Sequence, residues 1–208
     1  ERQLALKMAS WSVPLEGIEA RPARLYVCVD GVMVHRQQWN EAKCVACYWE
    51  TPDGHGGTLR QTRYAVRFES AEPFKAFVWS LAMRCGLDSA VEVILLGDGA
   101  AWIWDHVAGV LGENTVCITD WYHVMEHVWA CGNTLYGQAS QEASQWVDRY
   151  ETMLWEGQHL SMIESLAREH KGCRSPGKRQ ALSELVTYLR NQGRRLSYAE
   201  FRARGFDI

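Results

Sequence analysis

Residues 91–127, VEVILLGDGAAWIWDHVAGVLGENTVCITDWYHVMEH, constrain the fold more than any other stretch of the chain. Two apolar runs of strand length, residues 91–96 and 115–119, each lead into an acid. Asp98 sits in a Gly-Asp-Gly turn after the first run, and Asp120 directly follows the second. A helical pattern fills residues 100–111 between them. Strand, acid, helix, strand, acid predicts a βαβ unit with parallel strands. Ligands of open α/β sheets collect at the carboxyl ends of the strands, where both acids fall. Two carboxylates at neighbouring strand ends point to a divalent metal.

The rest of the chain extends this unit. Residues 24–29 (RLYVCV) read as a buried strand ending at Asp30-Gly31, residues 43–49 (KCVACYW) as a second, and residues 61–68 (QTRYAVRF) as a third. The turn-rich TPDGHGG, residues 51–57, suits a hairpin connection. Residues 70–85 read as a helix, with Pro73 in its first turn and Gly86 near its end. Beyond Asp120 the patterns are helical: residues 121–136, 140–155, 159–170, 178–191 and 198–204. Residues 1–22 show no strong pattern and read as a lead-in from a preceding region. The expected division is therefore the lead-in at 1–22, an α/β core at 23–138 and a helical region at 139–208.

Three strands joined by short turns are antiparallel neighbours, whereas two strands reached through helices run parallel to the first. This predicts a mixed five-stranded sheet of order 3-2-1-4-5, the ribonuclease-H-like arrangement, with an all-helical C-terminal insertion. In it the first and fourth strands are adjacent, so Asp30 and Asp98 lie side by side. Such a pair can hold two Mg²⁺ or Mn²⁺ ions about 4 Å apart, one activating a water or 3′-hydroxyl and one stabilising a leaving oxygen. Against this stands the plain reading of Asp-Gly as a turn signal.

VDG at residues 29–31, LGDGAAWIW at 96–104, DWYHVMEHVW at 120–129, LYG at 135–137 and YAEFRARG at 198–205 resemble DDE transposases of bacterial insertion sequences. The likeness is to the Kra-type group, related to Mutator-like elements. The resemblance implies DNA cleavage and strand transfer with Mg²⁺ or Mn²⁺, with Asp30 and Asp98 as the first two catalytic acids and metal ligands. Asp120 and His123 match the group's Asp-x-x-His signature, which would put His123 one turn into a helix capped by Asp120. It further implies transposon-end and target DNA as partners, a homo-oligomer when active, and a cytoplasmic, nucleoid-associated bacterial protein. Two features depart from the pattern. Val32-Met33-Val34 stands where Thr-Gly-Val is usual, and the third acid, a Glu, is expected in a segment beyond Ile208.

The formal net charge of −3 conceals a basic stretch, since residues 168–204 carry ten Lys or Arg against three Glu. Lys178, Arg179, Arg190, Arg194 and Arg195 are its candidates for DNA phosphate contacts, the alternative being a solvated helical surface. Two other classes compete. A non-catalytic DNA-binding or assembly module derived from a transposase would lack the final Glu. His123-Val124-Met125-Glu126-His127 is also an H-x-x-E-H zinc-peptidase pattern, although that class gives no role to Asp30 and Asp98. Cys44-x-x-Cys47 resembles half a zinc knuckle, but its odd spacing on a strand sends the two thiols to opposite faces. Seven cysteines, mostly in apolar segments, suit reduced thiols of a cytosolic protein, and no apolar run approaches the roughly 18 residues of a membrane span.

Overall fold

The computed structural model describes residues 22–35 and 38–208. The expected lead-in therefore lies, but for Pro22, outside the described residues. The chain is α/β, with a five-stranded mixed sheet of order β3-β2-β1-β4-β5. Its strands are β1 (Arg24–His35), β2 (Trp39–Pro52), β3 (Thr58–Arg67), β4 (Glu92–Gly97) and β5 (Val116–Thr119). β1 pairs antiparallel with β2 and parallel with β4, and β2 pairs antiparallel with β3. Two compact units meet in sequence between Cys117 and Ile118.

In the first unit, alternation along the strands decides what is buried. The registers of β1 to β4 run without a bulge, so residues of one parity share a face. The odd-numbered Leu25, Val27, Val29, Val45, Cys47, Trp49 and Leu95 form one core with helix α1 (Ala71–Arg84) and the helix over residues 101–111, α2. Phe74, Phe77, Val78 and Leu81 supply the α1 side of that core, and Ile103, Val107 and Leu111 the α2 side. The middle of α2, Ile103–Val107, is π-helical. The hairpin between β2 and β3 closes where expected. Asp53 Oδ1 accepts from the backbone N–H groups of His55 and Gly57, at 2.7 and 2.8 Å, while Gly54 and Gly56 take positive φ.

The segment between the first two apolar runs extends both strands, β1 through His35 and β2 from Trp39. The apolar run stops at Val29, but antiparallel pairing with β2 continues through Asp30 opposite Cys44 to His35 opposite Trp39. The β-branched Val32 and Val34 suit an extended backbone, and a glycine at position 31 does not interrupt it. Asp30 is thus within a strand, and what ends beside it is the parallel ladder to β4.

In the second unit, α3 (Trp121–Tyr136), α4 (Gln141–Trp155), α5 (His159–Gly172), α6 (Pro176–Gln192) and α7 (Tyr198–Ala203) pack around Val124, Val128, Tyr150, Leu154, Leu166 and Leu189. Trp121, Asp120's neighbour, begins this unit's first helix. α3 and α4 approach closely at Gly132, where a Cβ would stand 3.0 Å from the Val147 side chain. Glu169 of α5 ties α4 down by accepting from Trp146 Nε1 at 2.9 Å and from Tyr150 Oη and Arg149 Nη2, both at 2.7 Å. Among the described residues, no helix is long and apolar enough to cross a membrane.

Candidate metal centre

The first unit brings two of the expected acids together. The parallel ladder of β1 and β4 ends at Val29 opposite Gly97, so Asp30 and Asp98 are the next residue on each chain. Asp30 has an even number and leaves the face opposite the α1/α2 core, and Asp98 lies in the turn just past the end of β4. The Asp30 carboxylate acts on the thiol of its cross-strand partner: the Cys44 pKa is raised, first by burial and then by that negative charge. Asp98 is oriented by its own turn, with Oδ1 accepting from the Ala100 N–H at 2.8 Å. Both carboxylates are half-buried.

The Gly-Asp-Gly turn has a physical reason at each glycine. A Cβ on Gly97 would lie 3.0 Å from Ile103 Cδ1 and 3.2 Å from Trp104 Cη2, so α2 seats directly on that backbone. Gly99 turns the chain with φ +100°, a conformation side chains resist. Trp102 packs edge-on to Phe74 at 5.8 Å, on the core side of the sheet rather than beside the carboxylates.

One pair near this site was not singled out from the sequence. Lys43, facing Gly31 across the β1/β2 ladder, is buried, forms an ion pair with Glu41 and lies 4.9 Å over the Trp102 ring. It stands on the face opposite Asp30, and only its position, a cation opening an apolar strand, marked it. The Cys44 and Cys47 side chains diverge as their spacing requires, Cys44 toward Asp30 and Cys47 into the core beside Cys85.

Asp120 and His123 form their own pair in the second unit. Asp120 caps α3, its Oδ1 accepting from the His123 N–H at 3.0 Å and lying 3.1 Å from His123 Nδ1. The residue before it is held from two sides. Tyr198 Oη donates to the Thr119 carbonyl at 2.8 Å, and Thr119 Oγ1 lies 3.2 Å from Gln192 Oε1. His127 stacks on Tyr188 with centroids 3.8 Å apart, so the two imidazoles of the H-x-x-E-H pattern take separate partners. Among the described residues, no group of three or more His, Cys, Asp or Glu is placed to hold a metal ion.

The basic candidates do not converge. Lys178 and Arg179 occupy the first turn of α6, Arg190 its last turn, and Arg194 and Arg195 the 3₁₀ turn Gly193–Leu196. Twelve residues of helix separate Lys178 from Arg190, a rise of about 18 Å. Arg195 bends back onto the Asn191 carbonyl, and Lys178 reaches toward the Tyr136 ring at 6.0 Å.

No family model, curated protein or solved structure matches the chain.

Proposed function

We propose that the chain carries part of the catalytic core of a DDE transposase, a ribonuclease-H-like polynucleotidyl transferase acting on transposon-end and target DNA. The observation supporting this reading is the Val29–Gly97 pairing, after which Asp30 and Asp98 are the next residue on each chain. Mg²⁺ sites commonly use one or two carboxylates and complete their octahedron with water and substrate phosphate oxygens, so this donor set fits Mg²⁺ or Mn²⁺. Asp30 and Asp98 are the ligands in this reading. Bound ions would supply an activated hydroxyl nucleophile and charge stabilisation for an in-line phosphodiester displacement.

The protein's own contribution is placement. The β1/β4 ladder brings the two acids to the same end of neighbouring strands, and the Ala100 N–H fixes the rotation of Asp98. In the second unit, Asp120 holds His123 at the start of α3, where an imidazole N–H can donate to a phosphate oxygen. A homo-oligomeric active form and a nucleoid-associated location in a bacterial cytoplasm belong to this proposal.

The test is strand cleavage of transposon-end DNA in Mg²⁺. Asp30→Asn and Asp98→Asn should each abolish cleavage while DNA binding persists. Cleavage at the wild-type rate by either variant would refute the assignment.

A further inference from the structure

We infer that Cys47 and Cys85 are an oxidisable thiol pair, which hydrogen peroxide converts into a disulfide joining β2 to the end of α1. The pair stands apart from the proposed metal centre and does not depend on it. Both residues are fully buried and belong to the core formed by the sheet with α1 and α2. Cys47 has an odd number on β2 and so faces that core, and its cross-strand neighbour on β3 is Arg63. Cys85 is the C-terminal cap of α1, directly after Arg84. The two thiols are hydrogen-bonded to each other.

Charge separates this pair from an ordinary core contact. Cys85 is held below its usual pKa, first by the hydrogen bond from Cys47 and then, against the opposing effect of burial, by the positive charges of Arg63 and Arg84. Cys47, the donor, is raised by that bond and by burial. Other cysteines go the opposite way from Cys85. Burial, with Glu169 and Glu184 nearby, pushes Cys131 up to about 12, and burial and Asp30 raise Cys44. The carbonyl end of α1 opposes a thiolate at its cap, and the two guanidiniums with the donated hydrogen bond answer it. The thiolate is the nucleophile, and an electropositive setting favours it. Cys85 therefore attacks and Cys47 resolves.

The Cys85 thiolate attacks one oxygen of hydrogen peroxide. The O–O bond breaks, hydroxide leaves and takes up a proton, and Cys85 becomes a sulfenic acid. The Cys47 sulfur, giving up its proton, then attacks the Cys85 sulfur, the S–O bond breaks and water leaves. Two thiols and one peroxide thus give one disulfide and two waters, the sulfurs losing the two electrons that the peroxide gains. Helix ends open locally more readily than helix interiors, which admits so small an oxidant to the cap position. From hydrogen-bond contact the sulfurs need only close to about 2 Å.

The test treats the whole reduced chain with hydrogen peroxide in native buffer and maps thiol-blocked, unreduced digests by mass spectrometry. The Cys47–Cys85 linked peptide should be the main product, ahead of any product of the half-buried Cys44 or Cys173, and dithiothreitol should remove it. Cys47→Ala should leave Cys85 as a sulfenic acid that dimedone traps. Arg63→Gln, at an exposed position, should slow the linkage roughly two- to fivefold, the effect of one solvent-screened charge. Cys85 left reduced while Cys44 and Cys173 oxidise, or a linkage formed only in urea, would overturn the proposal. So would wild-type Cys85 joining another cysteine as readily as Cys47. An unchanged rate in Arg63→Gln would overturn the part given to the arginines.

Discussion

Asp30 and Asp98 each follow directly on the last parallel pair of β1 and β4, Val29 opposite Gly97, which brings the two acids to the same end of neighbouring strands. Two like charges brought near one another repel unless a cation lies between them. On the proposed reading the pair serves a ligand at a cost to stability. Asp98→Asn keeps an acceptor for the Ala100 N–H but removes one charge. In metal-free buffer it should unfold in urea within about 0.5 kcal/mol of wild type, or later. A loss of several kcal/mol would instead make Asp98 a structural residue.

The glycines flanking Asp98 are predicted to differ from it. Gly97→Val drives a branched side chain into Ile103 and Trp104 and should cost about 1–3 kcal/mol, as overpacked cores do. Gly99→Ala meets the strain of φ +100° and should cost about 1 kcal/mol. Urea midpoints for the two variants check both values.

In the second unit, Tyr198→Phe keeps the ring that packs edge-on against Trp121 at 4.9 Å and removes only the hydroxyl bonded to the Thr119 carbonyl. The expected loss is about 1–3 kcal/mol, since the acceptor is left buried without that donor. Removing the α3 cap with Asp120→Ala should cost about 1 kcal/mol. Thermal unfolding monitored by circular dichroism measures both.

Tyr150 predicts a pH dependence. Burial pushes its pKa up to about 12 from the ordinary 10.0. The folded state thus holds this proton more tightly than the unfolded chain. The stabilisation is complete below pH 10, and it is lost as pH rises through about 12. Cys131, raised by burial from 9.0 to about 12, adds to the loss in an overlapping window. Tyr150→Phe should flatten part of the fall in stability between pH 10 and 12, and an unaltered slope would contradict the assignment.

Legibility in the sequence followed the physics of each element. Strand order was readable because short turns force antiparallel neighbours and a helical crossover forces a parallel return. The stop of α3 at Gly137 was readable because that residue takes φ +101°. The full length of β1 was hidden, because its continuation past Asp30 depends on pairing with β2 and not on its own apolar pattern. The basic candidates were read as one stretch, and α6 holds their two groups a helix length apart.

The most direct test of the account is Mn²⁺ titration followed by electron paramagnetic resonance on the wild type, Asp30→Asn and Asp98→Asn. The account predicts saturable binding by the wild type and weakening by more than about tenfold in each variant, a loss already seen when mere supporting partners of a ligand are removed. Equal Mn²⁺ binding by all three proteins would contradict it.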